Sequence, residues 1–192
     1  GMTIDMFCHW NYVMEGIIGR VEAVTAKAVT HIPTRWDEQG RAYDATADDA
    51  AYGIFELRTP DGDPVIGQIN SSWAVRVFRD ELVEFQVDGT HGSAVAGLFN
   101  CRAQQRGHTP KPVWNPDLPT SEKFRDQWMD VPANAELPNG FRAQWEEFLA
   151  DVVNDRPHRF DLMSAARGVQ LAELGLKSSA EGRRIAIEDL QA

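Results

Sequence analysis

Asp5 and His9 stand four residues apart near the start of the chain, in the stretch TIDMFCHWNYVMEGII over residues 3–18. At about 100° per residue, Asp5, His9, Tyr12 and Gly16 share one side of a helix, and Met6, Trp10, Val13, Met14 and Ile17 share another. The second side reads as an anchor to a core. The first is a polar strip on which a carboxylate and an imidazole one turn apart can meet. A carboxylate beside an imidazole fixes its tautomer and raises its basicity, which suits a general base near neutral pH. The same pair also serves structure alone, because an acid at a helix start caps free amides and complements the dipole.

A second group of chemistry-bearing residues lies on the polar stretch 31–49, which holds Pro33, Gly40 and five acids and shows no period. Loops of that length in a domain carry function more often than filler. His31, Arg35, Trp36 and Tyr43 on it supply hydrogen-bond donors and flat apolar faces, a combination that fits a sugar or an acid. A lid or an interface also explains them.

Other chemistries find no footing. No two glycines are separated by a single residue, so the G-x-G-x-x-G dinucleotide fingerprint is missing, and so is the P-loop. No serine sits in a G-x-S-x-G turn. His91, His108 and His158 read as turn or loop residues, and no two imidazoles share a metal-ligand spacing, so neither a metal site nor a cofactor-binding motif is expected. Cys8 and Cys101 are too few for a disulfide framework.

The elements that must position these groups follow in order. After the first helix, residues 20–30 (RVEAVTAKAVT) read as a strand, and residues 50–58 (AAYGIFELR) as another. A turn at 59–64 leads to alternation in which Val65, Gly67, Ile69, Ser71, Trp73, Val75 and Val77 share one face. Residues 81–88 alternate again with Val83, Phe85 and Val87 inward, and 93–102 continue the meander beyond a turn at 89–92. Residues 107–132 contain five prolines and suit only irregular or edge structure. Asn139 then caps a helix with the stripe Phe141, Trp145, Phe148, Leu149 and Val152. Asp161 caps a second, carrying Leu162, Ala165, Ala166, Val169, Ala172 and Leu176, and a short strand at 183–188 closes the order. The pattern describes one α+β domain over residues 2–192, an open, mostly antiparallel sheet with helices gathered on one face.

A length of 192 residues is enough for one substantial core. The formal charge of −10 and only four lysines argue against nucleic acid, whose binding depends on basic side chains releasing counterions. No apolar run is long enough to cross a bilayer and no signal-peptide pattern is present, so a cytoplasmic protein is expected.

The Asp5-x-x-x-His9 helix start, the strand and loop, and Asp48-Asp49 before a β run together resemble the C-terminal domain of the Gfo/Idh/MocA oxidoreductases. The tail is similar as well, in residues 165–174 (AARGVQLAEL) and 178–185 (SSAEGRRI). The resemblance implies the open antiparallel sheet of glyceraldehyde-3-phosphate dehydrogenase C-terminal domains. It also implies a preceding Rossmann domain that binds NAD or NADP and supplies a lysine, a sugar or polyol substrate, and a homodimer through the sheet face. His9 would then exchange a proton with a substrate hydroxyl, with Asp5 orienting it or holding a hydroxyl, while Tyr12, His31, Arg35 and Trp36 contact substrate. Tyr12 stands where the family often has a second aspartate. The nucleotide domain has no counterpart in residues 1–192, and Lys111-Pro112 lies in the wrong place to replace its lysine. The expectation is therefore a substrate-binding and assembly domain that is inactive alone and works with a nucleotide-binding chain or domain. A free-standing ligand-binding or dimerisation module that has lost the redox chemistry is the alternative. A small-ligand isomerase or hydrolase using Asp5 and His9 without nucleotide is a third reading.

Overall fold

The computed structural model describes residues 1–75, 81–109, 115, 117–118, 123–133 and 139–190. Its elements are α1 (Met2–Ile17), β1 (Arg20–Val29), β2 (Thr34–Trp36), β3 (Ala42–Asp44), β4 (Ala50–Arg58), β5 (Pro64–Ser72), β6 (Phe85–Gly89), β7 (Gly92–Ala96), β8 (Cys101–Gln105), β9 (Met129–Asp130), α2 (Gly140–Val153), α3 (Leu162–Glu181) and β10 (Ile185–Ala186). The fold is α+β with open antiparallel sheets, as the sequence predicts. Two compact units result, Gly1–Arg76 with Phe148–Ala192, and Val77–Glu147.

In the first unit the strands run in the order β10-β1-β4-β5, every neighbour antiparallel. Along β4 the side chains alternate: Ala51, Phe55 and Leu57 are buried, while Tyr52 and Ile54 are exposed on the other face. Helices α1 and α3 cover only the buried face, leaving Tyr52, Ile54 and, on β5, Ile66 open. Phe7 of α1 and Phe55 of β4, both fully buried, meet edge to face at 5.2 Å and form the centre of this core. Burying each ring contributes about 1.5–3 kcal/mol, and the edge-on geometry about 0.5–1.5 kcal/mol more.

The buried stripe of α1 is Met2, Thr3, Phe7, Asn11 and Met14. That is a rotation away from the predicted anchor, since Ile17 is exposed and Met6, Trp10 and Val13 are only half-buried. The rotation follows from Phe7, whose ring fills the space between α3 and the sheet. α3 departs from expectation for a related reason. Its buried face is Ser164, Gly168, Leu171, Ala172, Gly175 and Ser178, so only Ala172 of the predicted apolar stripe is buried, and Leu162 is almost fully exposed. Small residues face inward because α1 comes close: the Cys8 thiol donates to the Gly168 carbonyl at 3.4 Å, and a Cβ on Gly175 would lie 2.7 Å from the Phe7 ring. Asp161 caps α3 as predicted, accepting from the Ser164 amide at 2.8 Å, and Gly182 ends it in the left-handed region at φ +64°.

The second unit holds the antiparallel sheet β6-β7-β8-β9, with β6 and β7 joined at Gly89 and Gly92 where the turn is predicted. The expected continuous meander is thus two separate sheets. β5 ends at Ser72, Trp73 and Val75 are exposed, and the predicted Val77 position lies outside the described residues. So do Pro110, Lys111, Pro112, Pro116 and Pro119. Val83 and Phe85 are half-buried, whereas Val87 is exposed. Asn139 caps α2 through the Phe141 amide at 2.9 Å, yet α2 has no buried residue and its whole predicted stripe is exposed.

The Gly175 contact predicts that Gly175→Ala destabilises the chain by about 1–3 kcal/mol, because the added methyl must displace the Phe7 ring from a filled core. Urea unfolding at constant m-value measures it, and a change below about 0.5 kcal/mol would show the socket to be loose.

Candidate functional site

Asp5 and His9 sit on the solvent side of α1, with side chains 50% and 66% exposed. The pair does not meet as its spacing suggests. His9 Nδ1 lies 2.6 Å from the main-chain oxygen of Asp5 and 3.7 Å from its carboxylate. A carbonyl only accepts, so Nδ1 carries the hydrogen in that contact. In the neutral ring the lone pair is then on Nε2, free of the helix and able to take a proton. The carboxylate, beyond hydrogen-bond reach at 3.7 Å, supplies charge near the ring and keeps its oxygens for another donor.

Tyr12 closes this strip. It is half-buried against Phe160, ring edge to face at 5.3 Å. Burial, with Cys8 and Glu15 nearby, holds its phenol above the usual range, and Arg167 only partly opposes this, so the hydroxyl stays protonated and able to donate. Burial and the neighbouring Asp5 likewise push the Cys8 thiol up, which leaves it a neutral packing group and not a nucleophile.

The helix is aimed from 45 residues away. The Asp48 carboxylate accepts from the Thr3 amide at 2.7 Å and from the Thr3 hydroxyl at 2.8 Å, and the Asp48 carbonyl accepts from the Met2 amide at 3.0 Å. The cap position of α1 is Gly1, which has no side chain, so Asp48 supplies the capping acceptors from outside the helix. Trp10 ties the next turns to the sheet by donating to the Ser71 hydroxyl at 2.8 Å.

Residues 31–49 form an ordered loop as expected, with the small hairpin β2–β3 inside it. Its organiser is Asp49, buried, accepting from the amides of His31 at 2.9 Å and Ile32 at 2.8 Å and from Arg35 at 3.2 Å. Burial pushes its carboxyl upward, but these three donors outweigh it and hold the group below the ordinary carboxylate range. The guanidinium of Arg35 also donates to the carbonyls of Ile32 and Ala47, so much of its hydrogen bonding is spent inside the loop. His31 meets the Tyr52 hydroxyl at 3.3 Å, on the face of the sheet opposite α1. Trp36 and Tyr43 present open rings, 65% and 49% exposed. The structure thus gathers Asp5, His9 and Tyr12 on one strip and places His31, Arg35 and Trp36 on a separately braced loop.

Asp151 and His158 form a pair that sequence reasoning missed. His158, expected as a surface turn residue, is half-buried with Nδ1 2.9 Å from the Asp151 carboxylate. Seven residues and a helix end separate the two, so no periodic spacing announces them. Among the described residues no group of three or more His, Cys, Asp or Glu side chains is arranged to hold a metal. None of the described helices is long and apolar enough to cross a membrane.

Because the folded-state carboxyl of Asp49 titrates below its unfolded value, it contributes stability that is present above about pH 4 and is lost as pH falls through the lowered value. Asp49→Asn should flatten the acid limb of stability against pH between roughly 2 and 5. Urea midpoints across that range measure it, and an unchanged limb would contradict the assignment.

The family model described as the GFO/IDH/MocA C-terminal domain matches residues 1–95. A D-xylose dehydrogenase from Paenarthrobacter nicotinovorans is 77% identical over 190 residues, covering 99% of this chain and 49% of that protein. Levoglucosan dehydrogenase, solved in complex with NADH and L-sorbose, superposes with a TM-score of 0.74 at 15% identity, over 99% of this chain and 51% of that one. An oxidoreductase domain protein from Kribbella flavida gives a TM-score of 0.70 at 15% identity, over 98% and 50%. The structural likenesses bear on the fold alone, and the chain spans about half the length of the relatives it matches. By the family match, residues 1–95 of this chain are those of a Gfo/Idh/MocA C-terminal domain.

Proposed function

We propose that this chain is the substrate-binding half of an NAD(P)-dependent dehydrogenase acting on a sugar or polyol, with His9 as the proton acceptor. The observation that carries the reading is the Nδ1 contact with the Asp5 carbonyl, which leaves Nε2 as the basic nitrogen on an open strip. The identity to a D-xylose dehydrogenase supports a sugar as substrate.

Oxidation of a carbinol removes a hydride and a proton. His9 Nε2 takes the hydroxyl proton, and the Asp5 carboxylate beside the ring stabilises the imidazolium that forms. The protonated Tyr12 hydroxyl and the exposed ring of Trp36 suit a hydroxylated, partly apolar ligand, with His31 and Arg35 shaping the loop that carries Trp36. The hydride would pass to a nicotinamide. Every strand pair among the described residues is antiparallel, so the described residues form no βαβ unit to receive a pyrophosphate. Turnover therefore requires a nucleotide-binding domain or chain in addition to these residues. The open sheet face, with Ile54 51% and Ile66 70% exposed, suits a second copy of the chain.

The test joins this chain to the remaining half of the D-xylose dehydrogenase and follows sugar-dependent reduction of NAD or NADP. His9→Asn should lower kcat by about 10²–10⁴-fold while leaving the protein folded. The same preparation should scatter light as a dimer or larger, and the chain without that half should give no turnover. An H9N enzyme with undiminished kcat would end the proposal.

A further inference from the structure

A second carboxylate–imidazole pair lies behind the strip, and the mechanism above does not use it. Asp151, on the last turn of α2, has its side chain 14% exposed and accepts from His158 Nδ1 at 2.9 Å and from Arg156 at 3.1 Å. The pair is far better shielded than Asp5 and His9. Its carboxylate, which only accepts, fixes the hydrogen on Nδ1 of His158.

The ring it fixes is part of a continuous series of edge-to-face contacts. His158 stands against Phe148 at 5.5 Å and 88°, and against Phe160 at 5.9 Å and 70°. Phe160 carries the Arg159 guanidinium over its ring at 4.4 Å and meets Tyr12 at 5.3 Å and 87°. Tyr12 is three residues after His9 on the same strip. The segment between α2 and α3 that carries His158 and Phe160 also contains Asp155 at φ +52°, a conformation that side-chain-bearing residues adopt only when their surroundings hold them there.

We propose that Asp151 and His158 are positioning residues of the sugar site: they hold Phe160 against Tyr12 and so set the wall beside His9. The inference rests on the reading of His9 as the proton acceptor and adds to it where the substrate is braced. His158 does not touch the reacting atoms. Its loss therefore weakens sugar binding and leaves the chemical step intact.

The experiment uses the joined dehydrogenase described above, with His158→Leu, His158→Gln and Asp151→Asn. H158L should raise the KM for the sugar about tenfold, with kcat within about twofold and the KM for the dinucleotide unmoved. H158Q, whose amide can still donate to Asp151, should restore most of the sugar KM. D151N, whose amide oxygen can still accept, should fall between the two. In the chain by itself, the Tyr12 ring-proton shifts should move in H158L, because the neighbouring Phe160 ring is released. An unchanged sugar KM in a folded H158L enzyme overturns the proposal, as does a kcat loss matching that of H9N, or failure of a folded H158Q to recover the KM. If H158L does not fold, D151N decides by the same KM comparison. An H9N enzyme that keeps its kcat removes the reading of His9 instead, a result separable from any shift in sugar KM.

Discussion

Asp48 and Asp49, adjacent in sequence, hold opposite sides of the same junction. The Asp48 carboxylate and carbonyl bond the first amides of α1, while the buried Asp49 carboxylate gathers His31, Ile32 and Arg35 at the start of the loop. The backbone of Asp49 joins the end of β1 through Val29 and the end of β5 through Trp73. One helix start, one loop and the ends of two strands are thus tied to two residues. A cap of this kind contributes about 1 kcal/mol, and an acid at the amino end of a helix also complements its dipole. Its greater consequence is geometric. The first turn of α1 carries Asp5, with His9 one turn further on, so the orientation of the polar strip is inherited from Asp48.

Packing then fixes the rotation of α1 about its own axis. Phe7 occupies a socket whose walls are glycines: a Cβ on Gly175 of α3 or on Gly53 of β4 would meet the Phe7 or Phe55 ring. With Phe7 seated, the side of the helix bearing Asp5 and His9 must face solvent. The same close approach of α1 and α3 sets Tyr12 beside Phe160, which immediately precedes the Asp161 cap of α3. The exposed His9, the capped helix ends and the Tyr12–Phe160 contact are outcomes of one helix pair on one sheet.

Much of this was legible in the residues. The strands at 20–29 and 50–58, the caps Asn139 and Asp161, and the antiparallel α+β class follow from alternation and capping chemistry. The exposed strip of Asp5 and His9 follows from helical spacing. The buried faces of α1 and α3 did not, because a stripe of Gly, Ser and Ala packs by closeness and leaves no apolar period to count. The apolar stripe of α2 illustrates the converse, since a strong period stays exposed in this chain. Contacts between residues distant in sequence were also invisible: Asp48 with Thr3 and Arg35 with Asp49 depend on where a loop closes. Asp151 with His158, nearer in sequence, depends on a turn that no period encodes.

The central claim is that the helix holds Nδ1 of His9 as donor and leaves Nε2 as the base. Nitrogen-15 NMR of the His9 ring at neutral pH reads the tautomer directly. The Nδ1-protonated form should be the dominant neutral species, with Nε2 carrying the lone pair. A dominant Nε2-protonated ring would contradict it.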